Sequence, residues 1–192
     1  MIKIKLENLN DRSRNTWVEL PASDAAINEA IDRMNAGTSI GTTVPYGIAE
    51  IESDMPCVSS CHTSDLSVNE INLLAYMTEN MDDAARSELN TMLLDMGADE
   101  IYCHINAAVL LKDSIIEGCF VDYEDIGIKH IRKEIPDLPK YMHKYIDFKQ
   151  VALDMALEGD QYEKTSELLA EERLIYENRR NEPAENMGMS MR

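Results

Sequence analysis

The chain of 192 residues carries 36 acidic against 18 basic side chains, a formal charge of −18 and an isoelectric point near 4.5. Phosphate backbones repel such a chain, so direct nucleic-acid binding is disfavoured. Its 44% apolar content suffices for a core, but no run of about 18 apolar residues is present to span a bilayer, and MIKIKLENLN lacks the apolar stretch of a signal peptide, so a cytoplasmic protein off the membrane is expected.

Ile2, Ile4 and Leu6 alternate with Lys3, Lys5 and Glu7, the period of a half-buried strand, and NTWVELP predicts a second strand closed by Pro21. The two are expected to form a hairpin across NDRSRN. Ser23 stands as N-cap to a helix from about Asp24 to Met34, with Ile27, Ala30, Ile31 and Met34 at helical spacing. NAGTSIGTTVP reads as a flexible connector, and YGIAEIES as another short strand offering Ile48 and Ile51 to a core.

From Ser67 the period turns helical through SVNEINLLAYMTENM, DDAARSELNTMLLDMG with Gly97 as C-cap, and ADEIYCHINAAVLLKDS. IIEGCFV then reads as a strand, YEDIGIKHIRKEI as an amphipathic helix and PDLP as a break. YIDFKQVALDM opens a further helix. Asp147 is expected at its N-cap or first turn and Asp154 at solvent or an interface. A last helix is predicted from about Tyr162 to Arg180, before the polar, Met-rich tail NEPAENMGMSMR, read as disordered.

Cys57, Cys61, Cys103 and Cys119 are too few for a disulfide scaffold and are read as free thiols. The alternative is a zinc site of Cys57, Cys61, Cys103 and His104, on a loose CxxxC spacing. No GxGxxG, P-loop, HExxH or GxSxG motif occurs, and His62, His104, His130 and His143 are not spaced to activate a serine or cysteine. Neither catalytic residues nor a cofactor are expected. Asp82 with Asp83 and Glu124 with Asp125 could hold a cation, but neither pair has a calcium loop's spacing, and helix N-terminal acids explain both equally well.

The charge has a location. Residues 46 to 125 contain 17 acids against two bases, Arg86 and Lys112, a balance of −15, while residues 1 to 45 carry −1 and residues 126 to 192 carry −2. An acidic face often means only solubility. Here about fifteen uncompensated charges destabilise the chain by self-repulsion, which favours a use for them. At one charge per 1.7 Å of duplex they match roughly 25 Å of DNA, enough to occupy a DNA-binding groove.

The chain resembles the ArdA family of antirestriction proteins from about residue 2 to residue 160. The resemblance is carried in order by IKIKLENLN, TWVELP, YGIAEIESDMP, NEINLLAYMTENMD, FVDYEDIGIKHIRKEI and IPDLPKYMHKYIDFKQVALDMALEG. The last is similar to the family's YIDY-x-x-x-x-RD-like run, with Phe148 and with Leu153 before Asp154. NDRSRN replaces a glycine-rich turn, and Asp160 to Arg192 extend beyond the usual end.

The resemblance implies an α+β fold drawn out as an elongated chain of three small domains. These are strands plus helix over residues 1–56, a helical acidic middle over 57–113 and an α/β C-terminal domain over 114–180, before the tail at 181–192. It also implies a DNA mimic that inhibits the methyltransferase core of type I restriction-modification enzymes or another defence enzyme, as a homodimer joined through the C-terminal domain. The expected partner-binding acids are Glu70, Glu79, Asp82, Asp83, Glu88, Asp95, Asp99, Glu100, Asp113, Glu117, Asp122, Glu124 and Asp125. The rival reading is an acidic adaptor that binds its partner through apolar contacts.

Overall fold

The computed structural model describes residues 1–36, 44–63, 66–79, 81–97, 99–116, 122–158 and 169–174. Strand β1 (Ile2–Asn8) is central in a three-stranded antiparallel sheet, between β2 (Asp11–Leu20) and β3 (Tyr46–Ser53). Ile2, Ile4 and Leu6 are buried, as their alternation predicts. The hairpin is tighter than expected, because Asp11 to Asn15 belong to β2. Asn8 makes this possible: its Oδ1 accepts from the backbone N–H of Asn10 at 2.8 Å and of Asp11 at 3.1 Å, turning the chain without glycine. In β3 the register slips opposite Lys5 and Leu6, which pair with Glu50 and Ile48, so Ala49 is a bulge.

Helix α1 (Asp24–Met34) is capped by Ser23, whose side chain accepts from Ala26 N–H, and buries Ile27, Ala30 and Met34. A single turn, α2 (Pro56–Ser59), leads to α3 (Val68–Glu79), α4 (Asp83–Met96) and α5 (Ile101–Ile116). Gly97 ends α4 at φ 62°, the left-handed conformation that glycine adopts without penalty. Helix α3 is buried from Ile71 to Thr78, and much of α5 is also covered.

The strand expected at IIEGCFV is corrected in part: Ile115 and Ile116 finish α5, whose apolar run favours continued helix over a short strand. Residues 117–121 lie outside the described ones. Beyond them α6 (Tyr123–Glu134), a 3-10 turn (Lys140–Tyr145) and α7 (Phe148–Glu158) follow, so the C-terminal part holds no strand among the described residues. Of the last predicted helix, residues 169–174 are described and are helical, while the tail at 181–192 lies outside.

One buried apolar cluster runs from Ile2 to Leu169 through sheet and helices alike. Two buried asparagines seal its seams. Asn72 of α3 accepts from Ala22 N–H at 2.9 Å and donates to Ala22 C=O at 2.8 Å, an oxygen that Tyr76 Oη also reaches at 3.1 Å. Asn106 of α5 donates to the carbonyl of Ala156 in α7 at 2.9 Å. These bonds satisfy backbone groups that would otherwise be buried without partners. Among the described residues no helix is long and apolar enough to cross a membrane.

Candidate acidic surface

The acids singled out by charge fall into distinct environments. Glu70 is the one that moves furthest from expectation: it is 7% exposed, not a surface charge. Its Oε2 accepts from Ser67 N–H at 3.0 Å and Ser67 Oγ at 2.8 Å, while Ser67 Oγ accepts from Glu70 N–H at 3.2 Å. This is a capping box, legible in the sequence as Ser67-x-x-Glu70, and it removes Glu70 from any docking face.

A first group gathers at the start of α6. Asp122 caps that helix through Glu124 N–H, and Glu124 and Asp125 lie in its first turn, where the helix dipole favours them. Glu88 and Asp95 sit two turns apart on α4, so they share a face, and that face meets Tyr123. Glu88 Oε1 accepts from Tyr123 N–H at 3.2 Å, and Asp95 Oδ2 accepts from the Tyr123 hydroxyl. The Lys149 ammonium stands 5.1 Å from the centre of the Tyr123 ring. Burial first, then the Asp95 hydrogen bond and the charges of Asp95, Glu88 and Asp122, push the Tyr123 phenol well above its usual pKa.

A second group precedes and opens α5. Asp99 and Glu100 are exposed, and Asp99 Oδ2 lies 2.9 Å from His62 Nδ1. Glu100 hydrogen-bonds Tyr102, which together with Cys103 raises the Tyr102 pKa. A third group stands at the junction of α3 and α4. Asp82 caps α4 through Ala85 N–H at 2.8 Å, Asp83 occupies its first turn, and both are exposed. Glu79 lines a cleft of about 470 Å³ with Glu19, Pro21 and Arg86. The side chains of Asp113 and Glu117 lie outside the described residues.

Both bases of the acidic segment are engaged. Arg86 donates from Nη2 to Thr78 C=O at 2.8 Å and from Nη1 to Asp54 at 3.4 Å. Burial pushes the Asp54 carboxyl up, but the hydrogen bond and charge of the Met1 ammonium, with Arg86 beyond, outweigh it and hold its pKa below the ordinary value. Lys112 forms an ion pair with Glu172. Sequence reasoning missed these pairings because they join residues far apart in the chain.

The cysteine and histidine candidates meet only in part. Cys61 Sγ lies 3.4 Å from His104 Nδ1, and both side chains are buried. Burial, with the charges of Asp99 and Cys57, pushes the Cys61 thiol up to about 12, so it is protonated and not a nucleophile at neutral pH. Cys57 and Cys103 are also buried, with thiols raised chiefly by burial. Among the described residues no three His, Cys, Asp or Glu side chains are gathered as a metal site. Cys119 lies outside the described residues.

The opening of α7 also has a clear part to play. Asp147 Oδ1 accepts from Gln150 N–H at 3.1 Å, capping α7, and the exposed Asp154 accepts from Gln150 Nε2 at 2.7 Å. Leu153, before Asp154, is 8% exposed and belongs to the core. Compared with protein-family models, curated proteins and solved structures, the chain has no significant match.

Proposed function

We propose that this protein is a non-enzymatic DNA mimic that docks its acidic helices into the basic DNA-binding cleft of a defence enzyme, the methyltransferase core of a type I restriction-modification enzyme by resemblance. One observation carries this reading. The acids at 79, 82, 83, 95, 99, 100, 122 and 125 are exposed, while both bases of the same segment, Arg86 and Lys112, are committed to ion pairs. The surface charge is therefore not cancelled locally, and it attracts a cationic groove over the range of the Debye length. In this reading the sheet, the acidic helices and the C-terminal helices are three sections of one mimic.

The chain acts as a homodimer through its C-terminal part. The support is a cluster of exposed apolar side chains between α6 and α7, where Ile135, Tyr141, Met142 and Tyr145 fall within eleven residues, Tyr141 at 68% and Tyr145 at 70%, while the other exposed large apolar residues, such as Leu9, Leu94 and Leu174, are scattered. The same side chains favour the second reading, an adaptor that grips a defence protein through apolar contacts.

Salt separates the two. Titration of a purified type I methyltransferase core with this protein, with and without competing duplex DNA, is expected to show binding that weakens steeply from low to high salt and that DNA displaces. Binding indifferent to salt and unaffected by DNA favours the adaptor.

A further inference from the structure

The far end of the described chain returns to its beginning. Residues 169–174 form a short helical stretch in which Leu169 is 8% exposed and Glu172 1%. Arg173 reaches back 149 residues to the first turn of α1, with Nη1 on Asp24 Oδ2 at 2.6 Å and Nη2 on Asp24 Oδ1. This two-pronged contact matches the guanidinium fork to the carboxylate and fixes orientation as well as distance. Tyr76 of α3 also hydrogen-bonds Arg173. The neighbouring Glu172 turns the other way and pairs with Lys112 of α5.

Two adjacent residues of opposite charge thus hold two different parts of the molecule. Glu172 is buried and neither of its carboxylate oxygens is hydrogen-bonded among the described residues, so the Lys112 ion pair is what offsets its charge, and loss of Lys112 leaves that charge uncompensated. The Asp24 contact is different, because Asp24 is largely exposed and salt screens the pair.

We propose that residues 169–174 are an intramolecular strap that ties the sheet unit, through α1, to the middle helices, through α3 and α5. It has one buried anchor at Lys112 and one releasable anchor at Asp24. The strap fixes the spacing between carboxylates carried by the sheet and those carried by the helices. It lies beyond the stretch that carries the family resemblance and does not rest on the DNA-mimic reading.

Hydrogen–deuterium exchange of the full chain tests this without any partner. Arg173→Glu is expected to speed amide exchange in residues 169–174 and in the first turn of α1 by roughly two- to fivefold, the range for one exposed ion pair. The reversed pair, Asp24→Lys with Arg173→Glu, is expected to restore most of the protection. Lys112→Met, which strands Glu172, is expected to speed exchange in residues 169–174 by more than about tenfold. Unchanged exchange in these segments, or a rise that the reversed pair does not recover, overturns the strap.

Discussion

The hydroxyl of Tyr123 donates to the carboxylate of Asp95, joining the start of α6 to the last turns of α4. The tyrosine is 1% exposed, so its ring fills space between helices while its polar tip reaches a charge near solvent. Tyr123→Phe keeps the ring and removes the bond. It is expected to cost about 1.5 kcal/mol in denaturant unfolding, the low end for a bond to a charged group, because Asp95 is exposed and water replaces the lost donor. Tyr123→Ala, which also empties the space, is expected to cost about 3 to 5 kcal/mol.

Alkaline pH provides a second test. The Cys61 thiol, ordinarily near 9.0, is pushed up to about 12 in the fold, mainly through burial. A raised folded pKa means that the unfolded chain loses its proton first, so the stabilising contribution is complete below pH 9 and is lost as pH rises towards 12. Stability is expected to fall over that window, and Cys61→Ala to flatten the slope by about 1.4 kcal/mol per pH unit at most. Unfolding midpoints measured at several alkaline pH values check this; identical slopes in the two chains contradict it.

The acids divide into those that hold the fold and those left to a partner. Glu70→Ala breaks a capping box and is expected to lower stability by about 1 kcal/mol while hardly changing inhibition of a target enzyme. Asp82, Asp83, Asp99, Glu100, Glu124 and Asp125, changed to the corresponding amides, are expected to act chiefly on inhibition, Asp82→Asn keeping an oxygen for the α4 cap at Ala85 N–H. Neutralising any one weakens inhibition by about twofold, and neutralising all six together by about a hundredfold, if each screened pair contributes about 0.5 kcal/mol. A complete loss from one of these single changes argues against a summed charge surface.

Close packing of α6 on α7 gives a further expectation. A Cβ at Gly127 overlaps the Phe148 carbonyl oxygen, which is backbone and has little room to yield. Gly127→Ala is therefore expected to destabilise by roughly 2 to 3 kcal/mol in thermal or denaturant unfolding, although alanine is the better helix former. A stabilised variant shows that the two helices are not this close.

What the sequence made legible was local. The alternation of Ile2, Ile4 and Leu6, the Ser23 cap and the glycine stop at Gly97 each act within a few residues, and α1 runs over the expected stretch. Ser67-x-x-Glu70 was equally local, but a segment count of charge concealed it. Glu88 and Asp95 were readable as a helix face, whereas the fact that Tyr123 covers that face depends on the path of α6. Likewise Arg173 and Asp24 are joined by tertiary packing across 149 residues, which no periodicity encodes.

The bulge in β3 has a consequence for how this chain tolerates changes of length. Ile48 and Ile51 are three apart, a spacing that would put them on opposite faces of a regular strand, yet both are buried because Ala49 is left over in the ladder. Removing Ala49 would leave the two isoleucines two apart, still on one face, in a strand with an uninterrupted ladder. A one-residue deletion elsewhere in the same strand carries no such remedy. Ala49 is thus a position where the sheet can lose a residue and keep its inward and outward faces, at the expense of the local bend and twist that the bulge imparts.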